Sequence, residues 1–129
     1  MGGSGTLDLF DDSYNDSITR LAAPLDNNNG LASIVSSTLC RAPYIGIITL
    51  IRKNNNISEI EFEIVPNTFR TQRKANCLSV LNWLESNIIN IIIVPKTDME
   101  AISALERFDI RFVLVEPGRI LEEVLRSFK

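Results

Sequence analysis

Cysteine occurs twice, at Cys40 and Cys77, and histidine not at all, so the chain's options for chemistry are narrow from the outset. Without imidazole there is no histidine general base and no metal site built on a ring nitrogen. A cysteine thiolate remains a good ligand for iron–sulfur clusters and other soft metals. Cys40 is the sharper candidate, because the neighbouring guanidinium of Arg41 favours the thiolate. Cys77 falls on the apolar stripe of a helix, where a free cysteine packs as a small hydrophobe. The two lack CxxC spacing, and no charged-then-apolar leader opens the chain. A cytoplasmic location with both thiols free is the resulting expectation.

Three carboxylates, Glu59, Glu61 and Glu63, alternate along one segment and so project from one face of a strand. Such a row could hold a hard cation. Its commoner use is a solvated face that discourages strand-to-strand aggregation, and that reading is preferred. No nucleophile–base pair is apparent, which argues against an enzyme.

The elements that must position these residues follow from the hydrophobic pattern. Ile18 to Pro24 reads as a short apolar strand, ended by Pro24-Leu25-Asp26 and the turn signal Asn27 to Gly30. Ala32 to Leu39 could make one or two helical turns. The near-continuous apolar run Tyr44 to Ile51 predicts a strand covered on both faces. After a turn at Arg52 to Asn56, strict alternation over Glu59 to Ile64 predicts the second arm of a hairpin. Within Thr71 to Ser86, Cys77, Val80, Leu81 and Leu84 share one helical stripe. Ile89 to Val94 is the most hydrophobic strand and is expected at the sheet centre. Thr97 to Glu100 reads as a capping box with Thr97 as the cap. It opens a helix that buries Ala101, Ile102, Leu105 and Phe108. Ile110 to Glu116 is a further strand, and Pro117-Gly118 turns the chain into a last helix. The predicted order is β-β-β-α-β-α-β-α, with a parallel portion where strand–helix–strand units require right-handed crossovers.

At 129 residues, with 45% of them hydrophobic, the chain has room for one domain and one core. Residues 1–5 read as a flexible leader of the kind an expression vector leaves. Residues 1–17 form an acidic tail holding Asp8, Asp11, Asp12 and Asp16 and no basic side chain. Although the whole chain carries −3, residues 18–129 hold 12 acidic and 13 basic groups. That near-neutral body has no general attraction for nucleic acid. The longest apolar stretch, Ile88 to Pro95, is too short to cross a bilayer. Neither nucleic acid nor membrane is expected as a partner.

Ala23-Pro24-Leu25-Asp26, Gly30-Leu31, Val35-Ser36 and Arg41-Ala42-Pro43-Tyr44 follow one another in a distinctive run. It resembles the start of the NifX-like domain, a family of iron–molybdenum cofactor carriers also found at the C-terminus of NifB. Ala104 to Val115 resembles a later block of the same family, and Glu116-Pro117-Gly118 precedes a closing helix as it does there. The resemblance covers roughly Ile18 to Phe128. It implies an α/β fold with a ribonuclease H-like motif: a five-stranded mixed sheet flanked by helices. It also implies a non-catalytic carrier for a metallocluster or other anionic ligand, the cluster being of iron–sulfur or iron–molybdenum type. Metallocluster donor or acceptor proteins are the implied partners, and the chain is expected as a monomer or weak homodimer.

Where the family has His-Phe-Gly, this chain has Thr38-Leu39-Cys40. The resemblance therefore assigns Thr38, Cys40 and Arg41 to ligand binding, with Cys40 as the metal ligand. Arg73-Lys74 and Pro95-Lys96 replace glycine-rich turns of the family. Glycine lets backbone N–H groups approach an anion closely, whereas Pro95 has no N–H to offer. In this fold Arg41, Arg70, Arg73, Lys74 and Lys96 lie in loops toward one sheet edge, where open α/β sheets bind their ligands. An anionic ligand there is the leading expectation. The alternative is a protein-interaction domain of the same fold that has lost the cluster site. A nuclease is not expected, because Ile18 to Pro24 holds no carboxylate and a two-metal site needs several.

Overall fold

A computed structural model describes residues 17–54, 56–70 and 77–128. Runs rich in β-branched residues form its strands, as their stiff side chains favour extended backbone. Strand β1 (Ser17–Leu25) pairs antiparallel with β2 (Tyr44–Lys53) along its whole length, and β2 forms a long hairpin with β3 (Asn56–Pro66). On the other side of β1 lies β4 (Ile91–Pro95), which pairs in parallel with both β1 and β5 (Arg111–Val115). The five strands make one mixed sheet in the order β3-β2-β1-β4-β5. Parallel neighbours need crossovers, and the helices α1 (Cys77–Ser86) and α2 (Met99–Leu105) supply them. A short helix α3 (Leu121–Arg126) closes the described chain.

Alternation along the strands divides the core between two faces. Ala22, Ile45, Ile47, Ile92 and Val94 pack with Val80, Leu81 and Leu84 of α1 and with Ala101 and Leu105 of α2. Leu21, Ala23, Leu25, Ile48, Leu50, Ile91 and Ile93 face the other way, onto Val35 and onto Leu121, Val124 and Leu125 of α3. A strand covered on both sides reads as a near-continuous apolar run, as do residues 21–25 of β1, residues 45–50 of β2 and the whole of β4. Each fully buried Leu or Ile contributes about 1.5–3 kcal/mol.

Three expectations are corrected. The centre of the sheet is β1, not the more hydrophobic β4. Hydrophobicity reports cover on both faces, and all five residues of β4 are buried although it lies next to an edge strand. Ala32 to Leu39 forms no helix beyond a 3-10 turn at Gly30–Ala32. Instead the β-branched Ile34 and Val35 stay extended and bridge to Ile120 and Leu25. The helix at α2 is capped by Asp98, whose carboxylate accepts the Ala101 N–H at 3.2 Å, rather than by Thr97. The expected acidic tail, apart from Ser17, and the first part of the predicted helix at 71–76 lie outside the described residues.

Candidate functional site at the carboxyl edge of the sheet

β1, β4 and β5 run parallel and end together at Leu25, Pro95 and Val115. The pairs Leu25–Tyr44 and Tyr44–Pro66 bring the start of β2 and the end of β3 to the same edge. Loops 26–43, 67–70, 96–98 and 116–120 therefore converge there. From β1 the chain passes to β2 on one side and later to β4 on the other. Open α/β sheets leave a ligand crevice at such a change of direction.

Here the chain's own segment 33–39 enters that region. Ser36 donates its N–H to the Pro24 carbonyl at 2.9 Å, and Leu39 donates to Asp98 Oδ2 at 2.8 Å. Asp98 thus ties the loop after β1 to the start of α2. A second polar tie is the buried Asn67. Its Nδ2 donates to the carbonyls of Cys40 and Ala42, each at 3.0 Å, while its Oδ1 accepts the Phe69 N–H at 3.0 Å. The sequence reading missed the roles of both residues. Pro66-Asn67 carried a turn signal, and Asp98 is as good a cap as its neighbour, but neither fact reveals a partner distant in sequence.

The structure brings Thr38, Cys40, Arg41 and Lys96 to this one edge but gives them different surroundings. Thr38 is partly buried, and its Oγ1 accepts the Arg41 N–H at 3.3 Å. Arg41 is exposed, as are Arg70 and Arg119 on neighbouring loops. Lys96 is ion-paired with Glu116 at the ends of β4 and β5. Arg73 and Lys74 lie outside the described residues.

Cys40 requires a correction. It is disulfide-bonded to Cys77, and neither cysteine is a free thiol. The fold brings these residues, 37 apart in sequence, to a Cα–Cα distance of 5.1 Å, within the usual range for a disulfide. Both sit in the apolar core, with Cys40 only 1% exposed. In this state the sulfur of Cys40 is a cross-link and not a presented ligand. The compartment argument that favoured free thiols contained no information about this proximity.

Two cavities open near the edge. One of about 280 Å³ is lined by Ile45, Val65, Asn67, Phe69, Val80 and Trp83. The other, about 270 Å³, lies between α1 and α2 beside Cys77, with Glu100, Ser103 and Arg107 in its walls. Among the described residues no three His, Cys, Asp or Glu side chains converge as a metal site. The chemistry on offer is charge attraction and hydrogen bonding through exposed guanidinium groups.

No protein-family model and no curated protein matches the chain. Solved structures do match. One is PH0822, at 20% identity and a TM-score of 0.61 over 85% of this chain and 89% of that one. A second is a putative NifB protein from Thermotoga (TM1290), described as belonging to the DUF35 family, at 23% identity and a TM-score of 0.61 over 85% and 86% of the two chains. A third is the apo form of the orange protein from Desulfovibrio gigas, at 17% identity and a TM-score of 0.65 over 87% and 88%. At these identities the likeness is one of fold alone, extending over 85–87% of this chain. Among the described residues no helix is long and apolar enough to cross a membrane.

Proposed function

We propose that the chain is a non-catalytic binding domain of the carrier type, with a ribonuclease H-like motif and a NifX- or NifB-like origin. Its ligand is anionic, of the metallocluster class, and is held at the carboxyl edge of the sheet beside Arg41. The carrying observation is the convergence of four loops on that edge, with Arg41, Arg70 and Arg119 exposed on three of them. Arginine suits this task because its rigid fork of donors matches multi-oxygen or multi-sulfur anions. The fold shared with a putative NifB protein and with the orange protein supports the reading at the level of architecture. Lys96 adds less, because Glu116 already neutralises it. Thr38 shapes the turn that presents Arg41. In this reading the partners are proteins that deliver or accept the cluster, in the cytoplasm, and the chain works as a monomer or weak homodimer.

Sulfur ligation by Cys40 would first need the disulfide reduced, so charge is the main attraction in the oxidised protein. The test is anaerobic reconstitution with iron and sulfide, with and without a dithiol reductant, followed by visible absorption. The expected result is a coloured protein whose colour is weakened by Arg41→Ala and, in the reduced state, by Cys40→Ser. Colourless protein under both conditions would sink the cluster reading. A second reading, a protein-interaction domain without a ligand, is favoured by the way segment 33–39 reaches Asp98 across the edge. On that reading reconstitution fails and the exposed arginines contact a protein surface instead.

A further inference from the structure

Strand β3 is eleven residues long and forms one end of the sheet, so its outer backbone edge has no partner strand among the described residues. Both of its faces are also open. Glu59, Glu61 and Glu63 are exposed on one. On the other, Ile60 is 39% and Phe62 47% exposed. The six-residue α3 is too short to cover them. Beside that apolar face is a cavity of about 440 Å³ lined by Leu31, Ile57, Ile60 and Leu125, with Glu122 and Arg126 in its wall. Long edge strands with apolar side chains invite another strand unless something prevents it.

Register arithmetic decides what kind of strand fits. Directly opposed residues of an antiparallel pair project to the same face. If β3 met a second copy of itself about a twofold axis, odd residues would oppose odd ones, setting carboxylates against carboxylates. A slip that keeps the hydrogen bonds of the shared edge moves by two residues, so odd still opposes odd and the conflict remains. A strand alternating basic and apolar residues avoids that conflict. Its cations meet Glu59, Glu61 and Glu63, and its apolar residues continue the Ile60–Phe62 surface toward the cavity.

We propose that β3 is a docking edge for an extended segment of another protein, alternating basic and apolar residues, which adds to the sheet as a sixth strand. Backbone hydrogen bonds along the edge supply affinity, and the two unlike faces supply register and specificity. The proposal does not depend on the ligand edge: β3 offers its flank, whereas the carboxyl edge is formed by loops at strand ends.

The experiment uses the full chain and a blocked synthetic peptide of alternating lysine and valine, with amide hydrogen exchange read along β3. Binding is expected to slow exchange at β3 amides and to weaken with added salt. The combined change Glu59→Lys, Glu61→Lys and Glu63→Lys should weaken it about tenfold or more, as three cross-strand charge pairs are reversed. Unchanged exchange in β1 verifies that the variant is folded. A glutamate–valine peptide should not bind the original protein and should bind the charge-reversed one. Equal binding of both peptides, no protection of β3, or concentration-dependent protection without peptide (self-pairing) would each overturn the proposal.

Discussion

At Ile88 the backbone takes φ +58°, a conformation that suits glycine and strains a β-branched residue. The cause is the way α1 stops. Ile88 donates its N–H to the Glu85 carbonyl at 3.1 Å and Ile89 donates to Leu84 at 3.3 Å, the bond pair that closes a helix through one left-handed residue. With its side chain 72% exposed, Ile88 recovers little by burial. Ile88→Gly is therefore expected to stabilise the protein by about 1 kcal/mol in urea unfolding. Glu61 carries a second local conflict. Glu59 raises its pKa above the ordinary carboxylate value, first through a side-chain hydrogen bond and then through like charge. A carboxyl that holds its proton more tightly when folded favours the native state at low pH. That contribution is lost as pH rises from the ordinary value through the raised one. Thermal unfolding followed against pH should show this decline, and Glu61→Gln should flatten it.

Helix α2 has only seven residues, too few to persist on its own, and Asp98 supplies much of what holds its start in place. One carboxylate oxygen caps the helix while the other accepts the N–H of the fully buried Leu39. Asp98→Ala removes a cap worth about 1 kcal/mol and leaves a buried donor unsatisfied at a further 1–3 kcal/mol. A loss of roughly 2–4 kcal/mol is expected in denaturant unfolding, with Asp98→Asn losing less because one oxygen acceptor remains. If alanine cost no more than a few tenths, the tie between loop and helix would not matter energetically. The same contact bears on ligand binding, since it keeps segment 33–39 at the edge where Arg41 stands.

Across the whole molecule the disulfide between Cys40 and Cys77 joins the loop entering β2 to the first residue of α1. Cross-linking residues separated by 37 positions restricts the unfolded chain, and the loop-entropy relation puts the effect at roughly 4 kcal/mol. Reduction, or the double change Cys40→Ala and Cys77→Ala, should lower stability by roughly 2–4 kcal/mol while leaving the sheet intact. Far-ultraviolet circular dichroism with denaturant midpoints, in the presence and absence of reductant, reads both quantities. Such a loss is a substantial part of the 5–15 kcal/mol typical of a domain, which makes redox state a strong variable in any ligand assay.

By itself the sequence determined the strands and helices whose signals are local. β1 to β3 and β4 to β5 were legible from alternation or continuous apolar character, and α1 from the stripe Cys77, Val80, Leu81 and Leu84, because period and burial are written in neighbouring residues. Arg41 and Lys96 were legible as edge residues once the element order implied where parallel strands end. Tertiary structure alone decided which strand sits centrally, that Ile34 and Val35 bridge to distant backbone, and that Asp98 and Asn67 reach backbone partners far away in sequence. It also decided the state of Cys40, whose partner lies 37 residues away. The physical reason is common to all of these: they depend on the meeting of segments far apart in sequence. Local periodicity specifies which side of an element is buried, but not what it is buried against.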